Sequence, residues 1–105
     1  MTVDGSAISP IEAVWFVEAT YAPDGAETRV PFRAEHIARF QELKRAGVVV
    51  EIGAFSDASA SIAVVRAASE EEVLALFRAD VYMRNGVWVE IRVRPFGRIR
   101  DAGSS

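Results

Sequence analysis

The chain has a single histidine, His36, and the residues around it place this titratable ring on an apolar helix face. Pro31–Gly47 has the spacing of an amphipathic helix, and at about 100° per residue Phe32, Phe40 and Leu43 fall on the His36 side. The ring is therefore expected to point inward near the helix start. The partial positive charge of a helix N-terminus disfavours protonation there, which favours the neutral base.

A second inward polar group is predicted at the end of the next helix. Val73, Phe77 and Asp80 stand at i, i+4 and i+7, so Asp80 continues an apolar stripe. A buried carboxylate needs a partner. Paired with His36, it would fix the tautomer and stabilise the protonated ring, leaving the other nitrogen for a substrate proton. Burial and the helix start oppose that protonation, and the sequence does not decide which effect is larger.

The elements that position these residues follow from apolar periodicity and turn residues. Strands are predicted over Glu12–Thr20, Val48–Phe55, Ser61–Ala67 and Val87–Phe96. In the last strand, alternation puts Val87, Val89, Ile91 and Val93 on one face and Trp88, Glu90, Arg92 and Arg94 on the other.

Two helices separate these strands. Pro31 is placed to open the first helix, and Gly47 to close it as a left-handed cap. The second begins with a capping box, Ser69 with Glu72, and ends near Asp80.

The order βαββαβ predicts an α+β fold of the ferredoxin-like class: an antiparallel four-stranded sheet with strand order 4-1-3-2 and two helices on one face. Both faces of the first strand are apolar, with Val14 and Phe16 on one face and Trp15 and Val17 on the other. An apolar face without helices calls for a cover, and a second copy of the chain is the simplest one. We therefore predict a homodimer through the open sheet face.

Right-handed crossovers bring four parts of this fold to one edge of the sheet: the end of the first strand, the start of the first helix, the turn at Asp57 and the end of the second helix. This edge would gather His36 and Asp80 as catalytic candidates, with Arg33, Tyr82 and Asp57 as substrate-binding candidates. Four of the five also have a structural interpretation: His36 as a core histidine, Asp80 as a carboxylate that caps the next turn, Arg33 as a solvated arginine and Tyr82 as a core aromatic.

Length and composition limit the functional classes. At 105 residues the chain has room for one domain, predicted over residues 11–99 with flexible ends at 1–10 and 100–105. A net charge of −3 argues against nucleic-acid binding. There is no cysteine and no membrane-length apolar run, so a cytoplasmic location is predicted, with no partner in the membrane.

Short motifs in this order resemble the YciI-like, or YCII-related, family of dimeric α+β barrel proteins. They are Arg33-Ala34-Glu35-His36, then Asp80-Val81-Tyr82, and finally Arg94-Pro95-Phe96 at the end of the last strand. The resemblance covers most of the chain up to Phe96 and implies a ferredoxin-like dimer with an active site centred on His36 and Asp80.

Two departures from the family pattern concern the predicted pocket. Val81 replaces the usual proline, and Gly53-Ala54 replaces the Gly-Pro that commonly follows the second strand. Both are expected to loosen the pocket wall and so to allow a divergent substrate or a lost activity.

The leading interpretation is a dimeric enzyme in which His36, oriented by Asp80, moves a proton on a small cyclic or carbonyl-bearing molecule while Arg33 steadies negative charge. Isomerisation, elimination and hydrolysis all stay open. The alternative is a non-catalytic module that binds a small ligand or assists another protein; a cofactor-independent oxygenase is a weaker third. With one histidine and no cysteine, neither a metal nor a cofactor is predicted.

Overall fold

The computed structural model describes residues 9–102, which form an antiparallel sheet with helices packed against one side. The strands are β1 (Ile11–Tyr21), β2 (Val49–Ala54), β3 (Ala60–Val65) and β4 (Trp88–Ile99). Their order is β2-β3-β1-β4, so the predicted strand order and the ferredoxin-like α+β fold are confirmed.

The predicted flexible ends lie largely outside the described residues. Where they are described, the N–H of Arg100 donates to the Pro10 carbonyl at 2.8 Å and continues the ladder between β1 and β4.

Two of the helices are those predicted, and two one-turn helices were not. The predicted pair are α2 (Arg33–Arg45) and α3 (Glu70–Arg78), and the short ones are α1 (Gly25–Thr28) and α4 (Val81–Arg84). Pro31 lies in a 3-10 turn just before α2 instead of in the helix itself.

The predicted caps form with one difference. Gly47 has φ 81° and follows α2, and the N–H of Val48 donates to the Leu43 carbonyl at 3.0 Å, as a left-handed glycine cap requires. At the start of α3 the Ser69 hydroxyl accepts from the Glu72 N–H at 3.2 Å. The Glu72 carboxylate reaches the N–H of Ala68, one residue before the position expected of a capping box.

The core lies between the helices and one face of the sheet. Its fully buried side chains come from both layers and include Val17 and Val65 of the sheet, Phe77 of α3 and Trp88 of β4. Each such side chain contributes roughly 1.5–3 kcal/mol through burial. The helices that carry His36 and precede Asp80 are thereby fixed against the same sheet.

The predicted alternation of the last strand is wrong at its start. Thr20 pairs with Glu90 but Tyr21 pairs with Trp88, so Val89 is an extra residue in a β-bulge. The bulge turns Trp88 into the core, where it is 1% exposed, and leaves Val89 53% exposed. Beyond the bulge the prediction holds, because Ile91 and Val93 pack against the core.

The sheet face without helices is partly apolar, as predicted. Val14 and Phe16 of β1 lie opposite Phe96 and Arg94 of β4, and Val64 of β3 lies opposite Phe16. Val14 is 3% exposed but does not belong to the main core cluster, which lies on the other side of the sheet.

Candidate functional site

His36 lies in the first turn of α2 and points inward, as predicted from its helix face. It is 9% exposed and packs among aromatic rings. The Tyr82 ring stacks on the imidazole, with centroids 3.7 Å apart and planes at 7°, while the Trp88 ring lies perpendicular to the imidazole, with centroids 5.1 Å apart. These contacts fix the plane of the imidazole before any ligand binds.

Asp80 is fully buried and lies just after α3, where it caps the next helix. Its Oδ2 accepts the N–H of Tyr82 at 3.0 Å, as an N-cap carboxylate does at the start of α4. The same oxygen lies 2.7 Å from His36 Nδ1. Asp80 therefore lies beyond the end of α3, as in the structural interpretation in which it caps the next turn. Its carboxylate caps α4 and contacts His36 at the same time.

Arg39, which sequence reasoning did not select, completes the coordination of Asp80. Its Nη1 lies 3.1 Å from Asp80 Oδ1, and its Nη2 donates to the Leu76 carbonyl at 2.8 Å. The position could have been found from the sequence, because Arg39 follows His36 by three residues and so lies beside it on the helix surface.

These contacts keep the Asp80 carboxyl ionised. Burial by itself raises its pKa, but the hydrogen bond and charge of His36, the N–H of Tyr82 and the charge of Arg39 together lower the pKa below its ordinary value. An ionised carboxylate can only accept a hydrogen bond, so the Nδ1 that faces Asp80 must carry a proton. In the neutral ring Nε2 is then the unprotonated nitrogen. Nε2 has no hydrogen-bond partner within residues 9–102.

His36 opens into a cavity of about 290 Å³, named here the His36 cavity. Its wall combines apolar, hydroxyl and basic side chains from α2, the sheet and the segments between them. The lining residues are Tyr21, Arg29, Arg33, His36, Ile37, Phe40, Gln41, Lys44, Ile52, Gly53, Ala54, Ser61 and Tyr82. The volume is at the small end of the range for ligand pockets, about 300–1,000 Å³.

Two of the three predicted substrate-binding residues reach the His36 cavity. Arg33 and Tyr82 both line it. Burial, with the neighbouring Tyr21, raises the pKa of Tyr82 against the opposing charges of Arg29 and Arg33, so its phenol stays protonated. The structure does not bring Asp57 to this cavity: it lies exposed in the turn between β2 and β3, where its carboxylate accepts the Ser59 N–H at 2.9 Å.

Other lining residues were missed for identifiable reasons. Arg29 lies between α1 and the 3-10 turn, in a segment with no periodicity to orient it. Ser61 comes from β3, next to β1, and its hydroxyl lies 3.3 Å from the Tyr21 hydroxyl. Their meeting depends on strand register, which short-range patterns do not specify.

Comparison with known families identifies the chain. The sequence pattern of the YCII-related domain matches residues 13–97. The chain belongs to the YCII-related domain family. The resemblance stated from the sequence motifs is thereby confirmed, and the match extends from within β1 to within β4.

This YCII-related domain also has a similar solved structure. 5-Chloro-2-hydroxyhydroquinone dehydrochlorinase (TftG) from Burkholderia phenoliruptrix AC1100, in complex with 2,5-dihydroxybenzoquinone, superimposes with a TM-score of 0.68. The two are 19% identical, and the match covers 77% of this chain and 90% of that chain. At this identity the likeness establishes a shared fold. A comparison with curated proteins finds no match.

The two departures from the family pattern have different positions in this YCII-related domain. Gly53 and Ala54 line the His36 cavity, in keeping with an effect on its wall. Val81 is the first residue of α4, 4% exposed and part of the core cluster, and is not among the cavity-lining residues.

Two further features concern the part of the YCII-related domain that the structure describes. Between residues 9 and 102, no group of three or more His, Cys, Asp or Glu side chains converges as a metal site would require. Over the same residues, no helix combines the length and apolar character needed to cross a membrane.

Proposed function

We propose that this YCII-related domain is an enzyme in which His36 moves a proton on a small molecule held in the His36 cavity. The observation that carries the proposal is the 2.7 Å contact between His36 Nδ1 and the buried Asp80 Oδ2 at the wall of that cavity. A perturbed carboxylate paired with an imidazole beside a cavity is a recurring arrangement of active sites.

In the proposed step, His36 Nε2 takes a proton from a C–H or O–H group of the substrate, and the electron pair of that bond stays on the substrate. Asp80 stabilises the resulting imidazolium through Nδ1. The negative charge left on the substrate lies near the Arg33 guanidinium and the Tyr82 phenol, which donate to it. The proton then returns to another atom or leaves with a departing group, which gives isomerisation or elimination; hydrolysis uses the same base to activate water.

Elimination is the first reaction to test. The similar structure TftG is named a dehydrochlorinase, so the fold supports removal of a proton and a chloride in at least one protein. The analogy concerns the fold, and it suggests halogenated hydroxyhydroquinones as initial assay compounds without fixing the substrate of this chain.

A second candidate is a non-catalytic module that binds a small ligand or assists another protein. The observation that favours it is the packing of His36, since a ring stacked on Tyr82 and bonded to Asp80 also stabilises the fold without chemistry. In that case the cavity binds a ligand whose bonds do not change.

The decisive experiment compares His36→Asn and Asp80→Asn in a panel of elimination, isomerisation and hydrolysis assays. We expect turnover to fall about 10²–10⁴-fold in both variants. Asp24→Asn is the matched control, because Asp24 is exposed and makes no side-chain cap bond. Thermal unfolding of each variant separates loss of chemistry from loss of fold. Undiminished turnover in folded His36→Asn excludes the dyad, and ligand binding without turnover supports the non-catalytic module.

We further propose that the open sheet face pairs with a second copy. Phe16 and Val64 supply an apolar centre, and Glu18, Arg92 and Arg94 supply both signs of charge on the same face. A two-fold axis can place the acids of one copy against the arginines of the other.

Sedimentation of Phe16→Glu tests this pairing. The variant is expected to sediment as an 11.5 kDa monomer and the parent as a dimer. Val30→Glu, at a 69% exposed position outside the sheet, is expected to leave the parent mass unchanged. A monomeric parent contradicts the pairing.

A cytoplasmic location stays a prediction, to be tested by cell fractionation.

A further inference from the structure

The His36 cavity has an uneven distribution of charge. Arg29, Arg33 and Lys44 line it, and no acidic side chain does so among the described residues. Lys44 is already paired with Glu51 at 3.0 Å. Neither Arg29 nor Arg33 forms an ion pair within residues 9–102.

The Arg29 guanidinium lies over an aromatic ring of the same cavity, the ring of Tyr21. Its Cζ lies 5.8 Å from the centroid of the Tyr21 ring, so a cation–π contact holds the group without neutralising its charge. Arg29 and Arg33 line the same cavity as Tyr82, whose ring stacks on His36.

The remaining wall suits an uncharged and largely apolar body. Ile37, Phe40 and Ile52 supply apolar surface, and the bonded hydroxyls of Tyr21 and Ser61 supply neutral hydrogen-bonding groups. A ligand that satisfies this wall has an apolar or aromatic body, a neutral oxygen function and a negative charge.

We infer that the His36 cavity selects a small organic anion, a carboxylate or an ionised ring hydroxyl, whose charge is bound jointly by Arg29 and Arg33. Planar guanidinium groups donate paired hydrogen bonds to such oxygens, and these charge-assisted bonds are roughly twice as strong as neutral ones. The inference rests on the proposed function in that it names the substrate class of the same site, and it adds Arg29 as a binding residue.

Binding of matched probes tests the inference without turnover. Calorimetry compares 4-hydroxybenzoate with 4-hydroxybenzamide, which differ in charge but hardly in shape, and 2,5-dihydroxybenzoquinone represents an ionised ring hydroxyl. The parent is expected to bind the benzoate at least about tenfold more tightly than the amide, a preference that weakens as salt is raised. Tighter binding of the quinone than of the benzoate assigns the site to ring hydroxyls, and the reverse assigns it to carboxylates.

Substitution of Arg29 then locates the effect. Arg29→Gln is expected to lose most of the preference for the benzoate, and Arg29→Lys to keep part of it. Arg78→Gln is the control, because Arg78 is exposed on α3 and does not line the cavity. Equal affinity for the two probes, no binding of any anionic probe at millimolar concentration, or an unchanged preference in Arg29→Gln overturns the inference.

The two proposals fail separately. If His36 does not perform chemistry, the charge preference persists while the assay panel finds no activity that depends on His36. If the anion site is wrong, activity that depends on His36 persists while substrates with and without charge react equally well.

Discussion

Arg39 and His36 hold opposite oxygens of one carboxylate: Arg39 Nη1 lies 3.1 Å from Asp80 Oδ1, and His36 Nδ1 lies 2.7 Å from Asp80 Oδ2. The carboxylate is fully buried, and the Arg39 side chain is 28% exposed. A permanent cation therefore shares its counter-ion with an ionisable ring, and the charge of Asp80 is divided between them. Arg39 is itself anchored to the Leu76 carbonyl, so it fixes the orientation of the carboxylate that His36 contacts.

Replacing Arg39 with Gln is expected to change the pH dependence of stability. The charge of Arg39 is one of the causes that lower the pKa of Asp80, so in denaturant unfolding the stabilisation by Asp80 should be lost at a higher pH in the variant than in the parent. Arg45→Gln on the same helix is the control, because its pair with Glu42 is exposed. An Arg39 whose charge does not act on Asp80 would lower stability by the same amount at every pH.

Asp80→Asn is expected to lower stability by about 1–3 kcal/mol at pH 7, because the ring and guanidinium lose a charged acceptor. The folded pKa of Asp80 lies below its ordinary value of 3.8, so the unfolded chain binds the proton more readily. The stabilisation is therefore complete above the ordinary pKa and is lost as the pH falls through the folded pKa. Denaturant unfolding should show the parent and variant converging in acid; a gap independent of pH would contradict this origin.

Glu12→Gln is expected to weaken the far end of the sheet. The Glu12 carboxylate accepts from Arg66 Nε at 2.5 Å and Arg98 Nη1 at 3.1 Å, and Arg100 lies 3.9 Å away. The hydrogen bond from Arg66 contributes most to lowering the pKa of Glu12. Its stabilisation is therefore present at neutral pH and lost in acid.

Thermal unfolding at pH 7 and in acid checks the Glu12 prediction. Glu42→Gln, which removes a carboxylate from an exposed pair with Arg45, should have the smaller effect on Tm. Since Glu12 does not line the His36 cavity, ligand affinity should stay at the parent value. A large loss of affinity in Glu12→Gln would show instead that the two ends of the sheet are coupled.

Gly25→Ala is expected to disturb the His36 cavity by displacing Tyr21, which forms part of its wall. A Cβ at this position would lie 2.8 Å from Tyr21 Cδ2 and 3.2 Å from the Val87 carbonyl oxygen, so the Tyr21 ring must move. The Arg29 guanidinium makes its cation–π contact with the Tyr21 ring. A shift of this ring should therefore displace Arg29 and weaken binding of an anionic ligand by several-fold. Tyr21 ring resonances and calorimetry measure the two effects. Thermal unfolding of the variant separates this local effect on the cavity from a general loss of stability.

The sequence by itself determined the order of elements, the sheet topology and the inward direction of His36 and Asp80. Apolar periodicity, turn residues and the handedness of crossovers are local or nearly local rules, and they were sufficient to place both groups at one edge of the sheet. The same rules described β4 correctly only beyond its bulge, because an extra residue in one strand changes which side chains face the core.

Tertiary structure alone decided the composition of the site. The predicted topology puts Asp57 at the same edge of the sheet as His36. Its carboxylate instead accepts the Ser59 N–H and does not line the cavity. Arg29, from a segment without periodicity, and Ser61, from a neighbouring strand, line the cavity instead. The physical reason is that a fold assigns backbones to an edge, whereas the direction of each side chain depends on register, bulges and competing hydrogen bonds that form only when distant segments pack together.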